Sequence, residues 1–212
     1  MNLLKTITLA FTLMITSVIF SQGFEGVIEF QNKSYYDETN YIYYISGEQV
    51  RIDELDDAGK ITGTMLINLS TKKVLALNHS RKLYMEIKSK PSIKNLTNSK
   101  IFKTSESKKV LGYDCTKWTV DNPDYKSKAT YWVINDANYF FFKQLLSSLN
   151  RKDKIALYFM QTPENAGFFP ILGEEKGYDG KLKTRLKTNK LTPKKVDPKL
   201  FKIPAGYTEF KS

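Results

Sequence analysis

Short runs of alternating apolar and polar side chains, broken by turn formers, occupy the chain from Gly23 to Asp136. Successive side chains of a strand point to opposite faces, so this period of two commits the region to half-buried antiparallel strands joined by tight turns. Ile28 and Phe30 face one way and Glu29 the other. Tyr41 to Ser46 and Gln49 to Asp53 flank Gly47-Glu48, a two-residue hairpin loop with glycine first. Asp56-Asp57-Ala58-Gly59 makes the next turn. Met65, Ile67 and Leu69 then share a face, and Val74 to Leu77 follows. After Asn78-His79-Ser80, Leu83, Met85 and Ile87 oppose Lys82, Tyr84 and Glu86. Lys88 to Ser99 is polar, contains Pro91 and reads as a loop or lid. Ile101 to Val110 reads as a charged edge strand pair, since lysines blunt an exposed edge. Thr116, Trp118 and Val120 align beyond the Leu111-Gly112-Tyr113 turn. Lys128 to Ile134 is apolar on both faces, so each side of the sheet needs a cover there.

The period changes after Asp136. From Asn138 to Arg151, Phe141, Phe142, Leu145, Leu146 and Leu149 recur at intervals of three and four, which predicts a helix. Asp136 or Asn138 suits its N-cap, and Arg151-Lys152 its C-terminal end. Ile155 to Met160 reads as a second helical or extended piece, and both could lie across the open face of the sheet. Gly173 to Gly180 reads as a flexible turn, Tyr178 to Leu191 as strand, Asp197 to Phe201 as a helical turn and Thr208 to Lys211 as a last extension. The class is mostly β (α+β), with no repeat and no dividing linker.

Ahead of the first strand, Met1 to Ser21 has the form of a secretory signal. Lys5 is the charged n-region, Ile7 to Phe20 is apolar and uncharged, and Ser21 precedes a cut before Gln22. That apolar run is shorter than the ~20 residues a membrane span needs. Residues 1–21 are thus expected to be removed, leaving residues 22–212 as a single soluble domain in the periplasm or outside the cell. Such a chain buries roughly 70% of its unfolded surface without disulfides. Cys115 is the sole cysteine, expected as a buried thiol on a strand.

The groups that perform catalysis are scarce. His79 is the only histidine, and its place in a turn suggests solvation. One histidine and one cysteine cannot supply the three or four N/S ligands of a zinc site. Asp53, Glu54, Asp56 and Asp57 lack the alternating spacing of a calcium loop and read as a solvated acidic turn. No glycine-rich phosphate cradle follows a strand. The expectation is no enzyme, no metal and no cofactor.

Two features remain. With 13 Tyr and 13 Phe, the chain can build either an ordinary core or a cup between a curved sheet and a helical lid, holding a lipid, an acyl chain or another apolar ligand. The candidate lining is Ile52, Met65, Ile67, Leu83 and Met85 on the first strands, with Trp118, Tyr131, Val133, Phe141 and Leu145 after them. The second feature is charge. The chain carries +11, concentrated between Lys176 and Lys202, where ten Lys/Arg meet only Asp179 and Asp197. On a strand, Leu182, Thr184 and Leu186 point inward and Lys181, Lys183, Arg185 and Lys187 form an outer cationic row. That row is either a solubilising face or a contact for an anionic membrane surface or glycan. Exported proteins seldom meet nucleic acid, which is not expected as a partner.

Several short motifs occur in a telling order: Phe24-Glu25-Gly26-Val27-Ile28, Val50-Arg51-Ile52-Asp53, Lys82 to Met85, Leu111-Gly112-Tyr113-Asp114-Cys115-Thr116-Lys117-Trp118, Phe169-Pro170 and Phe201-Lys202-Ile203-Pro204-Ala205-Gly206-Tyr207. In these the chain resembles the exported bacterial family DUF4412, which is itself similar to the lipoprotein carriers and receptors of the LolA/LolB/LppX-like group. The resemblance implies a strongly curved antiparallel sheet forming an unclosed barrel, with one or two helices covering its mouth. It implies no activity and no catalytic residues.

Overall fold

A computed structural model describes residues 23–88, 98–149 and 154–211. The proposed signal, most of the Lys88–Ser99 segment and Arg151-Lys152 lie outside them. The alternating region forms strands β1 (Gly26–Ser34), β2 (Glu38–Ser46), β3 (Gln49–Leu55), β4 (Ile61–Asn68), β5 (Lys73–Asn78) and β6 (Leu83–Glu86). After the undescribed residues come β7 (Lys100–Val110), β8 (Tyr113–Asn122) and β9 (Ser127–Ile134). Helices α1 (Phe140–Leu149) and α2 (Lys154–Gln161) follow, then β10 (Pro170–Gly177), β11 (Leu182–Pro193) and β12 (Thr208–Glu209). The second apolar piece is therefore helical, as its buried Ile155, Ala156, Tyr158 and Phe159 at helical spacing require.

All twelve strands join one unclosed sheet, ordered β12-β6-β5-β4-β3-β2-β1-β11-β10-β9-β8-β7. Two antiparallel meanders, β1–β6 and β7–β11, meet where β1 pairs with β11 from Gly26↔Pro193 to Ser34↔Thr184. A Cβ on Gly26 would collide with the Thr192 carbonyl oxygen, so glycine lets the seam close. The charged run expected as a strand pair is one strand, β7, and it forms one edge, as its lysines predict. Short β12, parallel to β6, covers part of the other.

The reading of Gly173 to Gly180 as a turn is corrected. Gly173 to Gly177 belongs to β10, and only Tyr178 to Lys181 turns. Gly173 lies opposite Tyr131, and a Cβ there would stand 3.0 Å from the Tyr131 ring and 3.2 Å from the Ile155 side chain. The missing side chain makes room for α2 to settle onto the sheet.

The inner face carries the core. Ile28, Tyr43, Ile45, Val50, Ile52 and Ile67 bury against it from the first meander. Trp118, Tyr131, Val133 and Ile171 do so from the second, under Phe142, Leu145, Ile155 and Phe159 of the helices. Trp118 stacks on Phe159 with ring centroids 6.1 Å apart, and the Tyr131 hydroxyl donates to the Ile155 carbonyl at 2.5 Å. On the outer side of β9, Trp132 is covered by the Lys108 ammonium 3.9 Å from its ring centroid, a cation–π contact that answers the two-faced apolarity of that strand.

Candidate ligand site

Between the helices and the sheet lies a pocket with predominantly apolar walls. Phe30 and Tyr43 form its floor, Phe142, Leu146 and Ala156 its helical roof, and Phe169, Pro170 and Leu186 one side; Asn32, Lys187 and Thr188 complete it. Its cavity volume is about 40 Å³, and it opens to solvent at its mouth. Phe30 meets Tyr43 edge-on, centroids 4.4 Å apart, and stacks on Tyr41 at 5.4 Å, so the floor is stiff.

The ten residues proposed for a cup fall elsewhere. Ile52, Ile67, Trp118, Tyr131, Val133, Phe141 and Leu145 are buried in the core. Met65 is partly buried and packed against that core, Leu83 is half-buried, and Met85, near the β6 edge, is 37% exposed. The helix period was right in kind: Phe141 and Leu145 face the core, and their neighbours Phe142 and Leu146 line the pocket. Period alone could not separate these adjacent stripes.

Of the cationic row, Lys183, Arg185 and Lys187 stand on β11. Lys181 precedes the strand, 3.7 Å from Asp179. Arg185 donates from Nε and Nη2 to Glu174 Oε1, each at 2.7 Å, and Lys176 stands 3.3 Å from the same carboxylate. Burial raises the Glu174 pKa, but the bonds from Arg185 and Lys176 outweigh it and leave the group below its ordinary value. A shallow outer groove of Lys117, Lys128, Thr130, Trp132, Glu174 and Lys176 continues this face.

The expectations for His79 and for the acidic turn are corrected. Asp53 is 1% exposed, alternation having turned it onto an outer face that is covered. It accepts from Arg51 Nε at 2.9 Å and from the Thr64 hydroxyl at 2.5 Å. Thr64 Oγ1 lies 2.7 Å from His79 Nε2, and His79 Nδ1 lies 2.6 Å from the Tyr207 hydroxyl. Arg51 Nη1 also donates to the Leu200 carbonyl at 3.2 Å. The C-terminal segment is thereby strapped across the outer face of β3–β6. Both nitrogens of the one histidine hold structure together. Only Asp56 and its neighbours form the solvated turn. Among the described residues no group of three His, Cys, Asp or Glu could hold a metal. Cys115 is a free, buried thiol whose pKa burial pushes up, as its place on a strand predicts.

An unclosed antiparallel barrel with helices in its mouth is the architecture that the likeness to lipoprotein carriers implies. The chain belongs to the DUF4412 family, a domain of unknown function, which matches residues 24–207. No curated protein matches it. It is similar in fold to an uncharacterized conserved protein from Thermus thermophilus, with 9% identity over 87% of this chain and 88% of that one and a TM-score of 0.53. It is also similar to a chain of the Pseudomonas aeruginosa MucA/MucB complex, with 9% identity, 84% and 55% coverage and a TM-score of 0.53. For MucB alone the values are 10%, 87%, 59% and 0.52, so the chain spans a little over half of MucB. Among the described residues no helix is long and apolar enough to cross a membrane.

Proposed function

We propose that this protein is a non-catalytic component of the cell envelope, exported by Met1–Ser21, that holds a lipid, acyl chain or other apolar ligand between its sheet and its helices. The observation that carries the reading is the apolar pocket under α1 and α2, where Phe30, Tyr43, Phe142, Leu146, Ala156 and Phe169 converge between the sheet and its helices. A non-catalytic role is supported by His79, committed to Thr64 and Tyr207, and by the buried Cys115 thiol. MucB, of similar fold, forms a complex with MucA, which accords with a binding use of this architecture.

The test is native mass spectrometry of residues 22–212, purified without detergent from an exporting host, with solvent extraction of whatever is bound. A lipid or acyl species near one per chain is expected. Leu146→Trp, which fills the pocket from its roof with another apolar side chain, should lose that species and keep the circular dichroism of the native sheet. A bare chain that also takes up no added apolar ligand would overturn the reading.

A second reading rests on the outer face of β9–β11. Lys128, Lys183 and Lys187 stand there without an acidic partner among the described residues, a surface suited to anionic lipid or glycan. Reversal of Lys183 and Lys187 to Glu should abolish salt-sensitive binding to anionic vesicles; an unchanged affinity would remove this reading.

A further inference from the structure

Three neighbouring turns on one rim of the sheet each carry an exposed tyrosine. The strand order β2-β1-β11-β10-β9-β8 and the pairs Ser34↔Thr184, Gly177↔Ser127 and Asn122↔Ser127 set the β1–β2, β10–β11 and β8–β9 turns side by side. Tyr36 is 91% exposed and Tyr35 73% in the first, Tyr178 56% in the second and Tyr125 39% in the third. No turn depends on its ring for closure. Ser34 Oγ accepts from the Tyr36 and Asp37 amides, Asp179 from the Lys181 amide and Asn122 from the Tyr125 amide. Tyr178 ties the second turn to the third, its amide donating to the Lys126 carbonyl at 3.0 Å and its hydroxyl to Asp121 at 2.7 Å. Grouped rings left in water by turns that smaller residues close point to a contact surface.

We propose that this rim, apart from both the pocket and the lysine face, binds an extended, uncharged β-linked glycan whose sugar rings stack on the tyrosines. A sugar presents an apolar C–H face edged by hydroxyls, and tyrosine answers it with a rigid apolar face and a polar tip. Each turn also sets an aspartate beside its tyrosine, as Tyr36-Asp37, Tyr178-Asp179 and Asp124-Tyr125, and a carboxylate accepts from sugar hydroxyls. Successive turns lie two strands apart, ~10 Å, close to the length of one disaccharide in such a chain. A repeated platform suits a repeating partner. Charge points the same way. The chain carries +11, yet residues 34–37, 123–126 and 178–181 set Asp37, Asp124 and Asp179 against Lys126 and Lys181 alone, so these turns exert no pull on an anionic surface. The Lys154 ammonium stands over the Tyr125 ring, 4.0 Å from its centroid, which leaves Tyr35, Tyr36 and Tyr178 as the main platform.

The experiment is titration calorimetry of residues 22–212 with chitobiose and chitohexaose at low and high salt. The hexaose spans two turns and should bind about tenfold more tightly than the disaccharide, with no change in salt. Tyr36→Ala and Tyr178→Ala should each weaken the hexaose about tenfold, close to 1.4 kcal/mol, while the circular dichroism of the sheet stays native. Tyr178→Phe keeps the ring, gives up the bond to Asp121, and should bind like the native chain. Absence of hexaose binding, equal affinity for the two sugars, or binding that both alanine variants retain overturns the proposal. So does binding to phosphatidylglycerol vesicles, in place of the hexaose, that Tyr36→Ala removes; that result would assign the rim to a membrane.

Discussion

The two meanders of the sheet share a sealed inner face and differ on the outer one. In β1–β6 the outer face is the unusual one: Leu66, Leu77, Asp53 and Thr64 are buried there, under a tail that runs from Val196 to Phe210. Glu25 secures the start of that tail through its carbonyl to Lys194 N and its carboxylate to Val196 N. The Tyr84 carbonyl receives Phe210 N near its end. In β8–β11 the outer face is open and rich in lysine, and the cover lies inside, where α2 presses Tyr158 and Phe159 onto the sheet. A strand with apolar residues on both faces needs two covers. The first meander takes its second cover from the far end of the chain. The second meander avoids the need by placing Lys117, Lys128, Lys176 and Lys187 outward.

This contrast can be broken in the interior first. Tyr131→Ala removes a fully buried ring that meets Phe159 edge-on and takes the hydroxyl donor from the Ile155 carbonyl, and should cost about 4 kcal/mol. Urea unfolding reads the loss, and a cost under about 1 kcal/mol would show that α2 is not the seal of that half. Asp53→Ala tests the outer seal. It leaves the Arg51 guanidinium, 12% exposed, without its carboxylate and should cost about 3 kcal/mol. It should also speed proteolytic release of the tail at Lys199 or Lys202. A tail as resistant as the native one would mean that packing, not the polar chain, holds it. The smallest effect belongs to the open face. Because Glu174 is held below its ordinary pKa, its contribution is present above the ordinary glutamate value and is lost as pH falls through the lowered one. Glu174→Gln should therefore be about 0.5 kcal/mol less stable at neutral pH, with the gap closing in acid. A gap that widens in acid would contradict that sign.

Much of the sheet was legible because a period of two survives in single strands: the β2–β3 turn at Gly47-Glu48, the aligned Thr116, Trp118 and Val120, and the lysine edge of β7 all emerge as read. β10 did not, because Gly173, Glu174 and Glu175 interrupt the alternation for reasons that lie on other elements. The pairing of β1 with β11 left no local mark. The strap was equally hidden, since His79 and Tyr207 are 128 positions apart and a histidine in a turn looks the same whether water or a tyrosine answers it. The pocket differs again: Phe30 and Tyr43 are joined there by a polar Asn32 that interrupts the apolar side of β1, and nothing in that strand alone shows that Phe142 and Leu146 will roof it.

The seam between β1 and β11 also dictates a timetable. A growing chain releases Gly26 early and Pro193 very late, and until then the first meander has no neighbour along β1. Closing a loop of that span is slow and entropically unfavourable. The half-made sheet thus presents one unpaired edge of β1, whose other edge is already held by β2, and the molecule commits to its final form only once β11 has been made. Delayed commitment of this kind keeps a polypeptide pliable while it is being made, and makes it dependent on being shielded from its own kind meanwhile.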